Sequence, residues 1–92
     1  MADTKRIAVV VRDRQAEALR VAGGLTLADD TIEIFILDEK LDRDAAEVAM
    51  PLELVTDLDL NMYSNNPENG CTTVTLEEMA KRLLDYDVVV PY

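Results

Sequence analysis

An unbroken apolar run, Ile-Ala-Val-Val-Val, occupies residues 7–11, with Lys5 and Arg6 before it and Arg12, Asp13 and Arg14 after it. A β-branched run without alternation predicts a strand covered on both faces, as in a parallel sheet. Over residues 15–28 the period changes: Ala18, Leu19, Ala22 and Leu25 recur at helical spacing, with Ala28 ending the row, which predicts a helix. Gly23 and Gly24 lie inside that helix and cost roughly 1 kcal/mol each relative to Ala. Such a cost points to close approach of another backbone, within the fold or at an oligomer contact. Asp29 and Asp30 form a polar stop. Residues 31–37, Thr-Ile-Glu-Ile-Phe-Ile-Leu, begin alternating and become wholly apolar before Asp38, Glu39 and Lys40 close them. Two such strands joined by a helix make a βαβ unit, right-handed in nearly every case.

Residues 42–50 predict a short helix through Ala45, Ala46, Val48 and Ala49. Pro51 leaves two possibilities, one kinked helix or a second helical piece over residues 51–55 opened by Pro51, because proline removes a helix-interior hydrogen bond but is tolerated in a first turn. Residues 57–63, Asp-Leu-Asp-Leu-Asn-Met-Tyr, alternate and predict a third strand, and residues 64–70, Ser-Asn-Asn-Pro-Glu-Asn-Gly, read as a loop. Thr75 and Glu78 have the spacing of a capping box. They open a helix over about residues 76–85 whose apolar row is Leu76, Met79, Ala80, Leu83 and Leu84. Residues 88–90, all Val, are a short last strand. The order β-α-β-α-β-α-β predicts a single three-layer α/β domain over residues 1–92, with a small, mostly parallel sheet of about four strands.

Composition sharpens this picture. A chain of 92 residues buries roughly 60–65 % of the surface its unfolded form exposes, so its core is thin. With one Phe, three Tyr and no Trp, that core is built from Val, Ile, Leu, Met and Ala, and Met50, Met62 and Met79 are expected to fill it. Nineteen acidic against nine basic residues give a net charge of −10. That excludes nucleic acid and anionic membrane surfaces as natural partners, since phosphates require clustered Lys and Arg. The acidity serves solubility or docking onto a basic partner. The lone Cys71 has no internal disulfide partner, and the absence of His removes histidine bases and histidine metal ligands. The apolar run at residues 7–11 is too short for a signal peptide or a membrane span. Cytoplasmic localisation is expected.

Chemistry in an open α/β sheet belongs outside the carboxyl ends of the strands. Those ends offer Arg12 and Asp13, Asp38 and Glu39, Ser64, Asn65 and Asn66, and Pro91 and Tyr92. Arg12, Asp13, Asp38, Ser64 and Asn65 are the candidate binding residues. A phosphate site requires a glycine-rich turn after the first strand, where this chain has Arg-Asp-Arg. A phospho-receiver site requires an acidic pair after the first strand and an Asp ending the third, and neither is present. No cofactor motif and no metal-ligand cluster is found. Cys71 is the candidate nucleophile: it comes four residues before the helix cap at Thr75, and backbone N–H groups at a helix N-terminus lower a thiol pKa. Glu68, Glu77 and Glu78 oppose that. The plainer reading is an incidental loop thiol. Asn69-Gly70 reads as a turn prone to deamidation.

Two stretches resemble the DsrE/DsrF-like family of small sulfur-relay proteins. One is Glu-Ala-Leu-Arg-Val-Ala at residues 17–22, leading into the second strand; the other is Val-Thr-Leu-Glu-Glu-Met-Ala at 74–80 through Asp-Val-Val-Val at 87–90. With the first strand they cover about two-thirds of the chain. The resemblance implies a DsrE-like scaffold, assembly into dimers, trimers or hexamers, or a hetero-complex of related chains, and a Cys that carries sulfur at or just after the end of strand three. Here that strand ends in Met62, Tyr63, Ser64 and Asn65, and Cys71 lies farther along in a shortened loop. The helical insertion after strand two is also reduced.

Three functions follow as expectations. The first is an accessory in sulfur transfer or redox metabolism with Cys71 as persulfide carrier, at most a sulfurtransferase-like role. The second is a non-catalytic, oligomeric interaction module on the same scaffold. The third is small-molecule binding at the strand ends.

Overall fold

The computed structural model describes residues 5–25 and 31–92. The elements are β1 (Arg6–Val11), α1 (Gln15–Leu25), β2 (Thr31–Ile36), α2 (Ala46–Asp57), β3 (Asn61–Ser64), a 3₁₀ turn (Pro67–Asn69), β4 (Thr72–Thr73), α3 (Leu76–Leu83) and β5 (Val88–Pro91). Ala28 and the stop at Asp29 and Asp30 lie outside the described residues.

The sheet runs β4-β3-β2-β1-β5 and every pairing is parallel. Both central strands are covered on both faces. Ile7, Val9 and Val11 of β1 and Ile32, Ile34 and Ile36 of β2 pack with α1 and α2, while Ala8, Val10 and Phe35 turn to the opposite face with Val74 and Met79. That two-sided burial is why their sequences do not alternate. Three layers result, with α1 and α2 on one face and α3 on the other. The edges are guarded: β4 is two exposed threonines, and β5 ends in Pro91, which has no N–H to offer a further strand.

Several expectations change. The sheet has five strands rather than about four, because Thr72 and Thr73 pair with Tyr63 and Ser64. The choice left open at Pro51 resolves to one helix, with Pro51 inside it. The lost bond there costs about 3 kcal/mol in an isolated helix, offset by seating Val48, Leu52 and Val55 on the sheet. The helix continues through Asp57, so residues 57–60 are not strand. Leu60 N donates to Val55 O (3.2 Å), and Asp59 takes the left-handed conformation that ends a helix. Met50 is exposed, on the side of α2 opposite its buried row. On α3, Met79 and Leu83 form the inward row, so Leu76, Ala80 and Leu84, one position on, face solvent.

The glycine expectation resolves within the fold. A Cβ on Gly23 would stand 2.8 Å from Leu54 Cδ2, so α1 and α2 close on each other there, whereas Gly24 has nothing within 4 Å.

Candidate functional site

The carboxyl ends of β2 and β3 lie between α2, leaving on one face, and α3, reached through β4 on the other. The strand order reverses between β1 and β5, so the usual ligand crevice of an open α/β sheet lies there, and the ends of β2 and β3 stand beside it. At the ends of β2 and β3 the chain fills the space with its own side chains. Asp38 N donates to Asn65 Oδ1 and Asn65 Nδ2 donates back to Asp38 Oδ1, both at 2.7 Å. Asn66 Nδ2 donates to Asp38 O (3.1 Å). Asp38 is held at φ 59°, a left-handed conformation that Asp adopts more readily than most residues.

Beneath this pair, fully buried Ser64 accepts from Asn66 N (3.0 Å) and Asn69 Nδ2 (2.9 Å). Asn69 is buried as well. Its amide donates to Glu39 O (3.0 Å), and its Oδ1 accepts from Leu41 N (2.7 Å). Arg43 donates to Asn69 O. Gln15 ties α1 to the same loop through Lys40 O and Asp42 N. The loop after β2 is thus latched to the loop after β3. Among the described residues, no buried side-chain N or O atom is left without a partner.

The sequence-derived candidates therefore separate. Asp38, Ser64 and Asn65 come together in the latch. Arg12 and Asp13 are exposed elsewhere, bordering a shallow hollow of about 280 Å³ with Arg14, Pro91 and Tyr92. Arg14 N donates to Tyr92 O there (3.0 Å).

Cys71 lies apart from both groups. It is half-buried in a cleft of about 640 Å³ beside α2, with Arg43, Leu52, Thr56, Asn61 and Met62 among its walls. The thiol packs on the α1/α2 side of the sheet, whereas α3 begins on the other. Burial pushes the Cys71 thiol up; its own backbone N–H and the Arg43 guanidinium pull the other way without offsetting it. Closeness in sequence to the Thr75 cap does not put the sulfur at that helix's N-terminus.

Sequence reasoning passed over a second polar cluster, on the α3 face. Glu33 is buried in β2 and accepts from Tyr86 Oη, Tyr63 Oη (3.1 Å) and Asn61 Nδ2 (3.2 Å), with Arg6 at 3.6 Å. Burial pushes its carboxyl up, but those hydrogen bonds and the Arg6 charge outweigh it and hold the group below its ordinary value. Tyr63 and Tyr86 are raised in turn, by burial first and by Glu33 next. Phe35 stacks on Tyr63 and meets Tyr86 edge-on, with centroids at 5.1 and 5.5 Å. The signal was available: a Glu inside a strand covered on both faces needs partners.

Among the described residues, no group of three Cys, Asp or Glu side chains is placed to hold a metal ion, and no helix is long and apolar enough to cross a membrane. A scan against protein-family models finds no match to the chain, and searches of curated proteins and of solved structures return none either.

Proposed function

We propose that this chain is a non-catalytic protein-interaction module on a DsrE-like α/β scaffold, acting in the cytoplasm with protein partners, either like copies of itself or related chains. One observation carries the reading: the polar groups at the carboxyl ends of β2 and β3, Asp38, Ser64, Asn65 and Asn69, are spent on holding two loops of the chain together. Large apolar side chains meanwhile stand in solvent on α2 and α3. Such a surface suits a scaffold whose function is docking.

The second reading keeps sulfur carriage by Cys71. What favours it is the position of the thiol in a cleft with Arg43, a cation able to stabilise a persulfide anion. The two readings separate on thiol chemistry. In the first, native Cys71 alkylates more slowly than a free thiol at neutral pH, and exposure to a persulfide donor leaves the intact mass unchanged. A stable gain of one sulfur atom, lost in Cys71→Ser, would overturn it in favour of the second.

A further inference from the structure

α2 presents an apolar row to solvent. Met50, Leu54 and Leu58 follow one another at four-residue spacing and are 74 %, 47 % and 43 % exposed. Two of them lie in the helix and the third is its C-cap.

The charges on α2 itself all have one sign. Exposed Glu47, Glu53 and Asp57 lie on α2, exposed Asp59 follows it, and the helix contains no Lys or Arg. Among the described residues none of the four carboxylates has an ion pair. On α3, by contrast, Glu77 pairs with Lys81 at 3.8 Å. Asp57 and Asp59 also stand at the C-terminal end of α2, the negative end of its dipole, where a cation is favoured and an anion is not. α2 thus carries carboxylates without ion pairs alongside an exposed apolar row.

That combination selects the occupant. A second copy docked about a two-fold axis would set Glu53 and Asp57 against their own kind. An anionic lipid surface meets the same repulsion. A helix with an apolar row flanked by Lys or Arg fills the face and neutralises those carboxylates. We propose that the Met50–Leu54–Leu58 face of α2 docks a basic amphipathic helix of a partner protein. The proposal rests on the interaction-module reading and names its partner class.

The test uses the whole chain and a synthetic helical peptide of Leu, Ala and Lys, with leucines on one row and lysines on both flanks. A peptide with Glu in place of every Lys is the control, and binding is read by fluorescence anisotropy. The basic peptide should bind and the acidic one should not, with affinity falling as salt rises. Met50→Gln with Leu58→Gln should weaken binding about ten-fold or more, while Leu84→Gln, a still more exposed apolar position at the C-cap of α3, leaves it unchanged. Glu53→Gln with Asp57→Asn should weaken it roughly five-fold and flatten the salt dependence. Equal binding of both peptides, or equal losses from the α2 and α3 substitutions, would overturn the proposal. So would a dimer in sedimentation velocity that Met50→Gln with Leu58→Gln dissolves, or binding to phosphatidylserine vesicles lost in the same variant. A persulfide on Cys71 would remove the non-catalytic reading and leave this measurement standing. Absence of peptide binding with an inert Cys71 would remove this surface alone.

Discussion

Tyr86 donates its hydroxyl to Glu33 across fifty-three positions of sequence, joining the segment after α3 to the centre of the sheet. The carboxylate stays charged in a buried position because Tyr86, Asn61, Tyr63 and Arg6 together outweigh the desolvation. Its pKa is depressed on folding, so its stabilising effect is full above the ordinary carboxylate value of about 4.3 and is lost as pH falls through the lower folded value. At pH 7, Glu33→Gln should cost roughly 1–3 kcal/mol, and its deficit against the parent should shrink as pH falls through that window. Tyr86→Phe should cost a similar amount, and the double variant less than the sum, since both remove one bond. Urea denaturation from pH 7 to pH 3 checks this. A deficit that stays constant across that range would contradict the charged, hydrogen-bonded Glu33.

The two glycines of α1 should respond differently to the same substitution. Gly24→Ala places its methyl in open space and should stabilise by roughly 0.5–1 kcal/mol through helix propensity. Gly23→Ala gains the same propensity but meets Leu54 Cδ2 at 2.8 Å. That atom is the tip of a partly exposed side chain and can swing aside at some cost, so the net gain should be smaller or nil. Urea midpoints at unchanged m-value give the comparison. Equal stabilisation at both positions would mean that α1 and α2 do not close on Gly23.

Much of the architecture is legible in the sequence because two-sided burial leaves unbroken apolar runs at β1 and β2 and because Thr75 caps α3, accepting from Glu78 N at 3.0 Å. The errors also have physical causes. Residues 57–60 alternate as a strand would, yet Leu54 and Leu58 equally continue the helical row from Met50, and the chain keeps that period until Asp59 reverses the backbone. β4 is two threonines, too short to show a period. Leu84 sits one position off the Met79–Leu83 row, and a window of eight helical residues does not tell adjacent rows apart. At the candidate site, the asparagines of residues 64–70 announced a turn, but not that their amides bond to a loop nearly thirty residues earlier. Cys71 looked adjacent to a helix N-terminus only along the chain, because the sheet separates it from α3.

Asn69 followed by Gly70 is the sequence most prone to deamidation, in which the glycine amide nitrogen attacks the asparagine side-chain carbonyl and ammonia leaves. The fold opposes each part of that step. Gly70 N is engaged with Pro67 O (3.4 Å), and Asn69 uses its Oδ1 on Leu41 N and its Nδ2 on Glu39 O and Ser64 Oγ. Attack therefore requires local opening of the latch. Deamidation of Asn69 in the native chain should be at least about ten-fold slower than in urea, tracking the opening equilibrium. Asn69→Asp, one of the two products when water opens the resulting succinimide, keeps an acceptor for Leu41 N but loses both donors and sets a carboxylate near Glu39 O. It should destabilise by roughly 1–3 kcal/mol. Peptide mapping of samples aged with and without urea measures the first effect and urea denaturation the second. Equal ageing rates in both conditions would mean that the Asn69 amide is not held, and that the loop after β2 is fixed by something other than the latch.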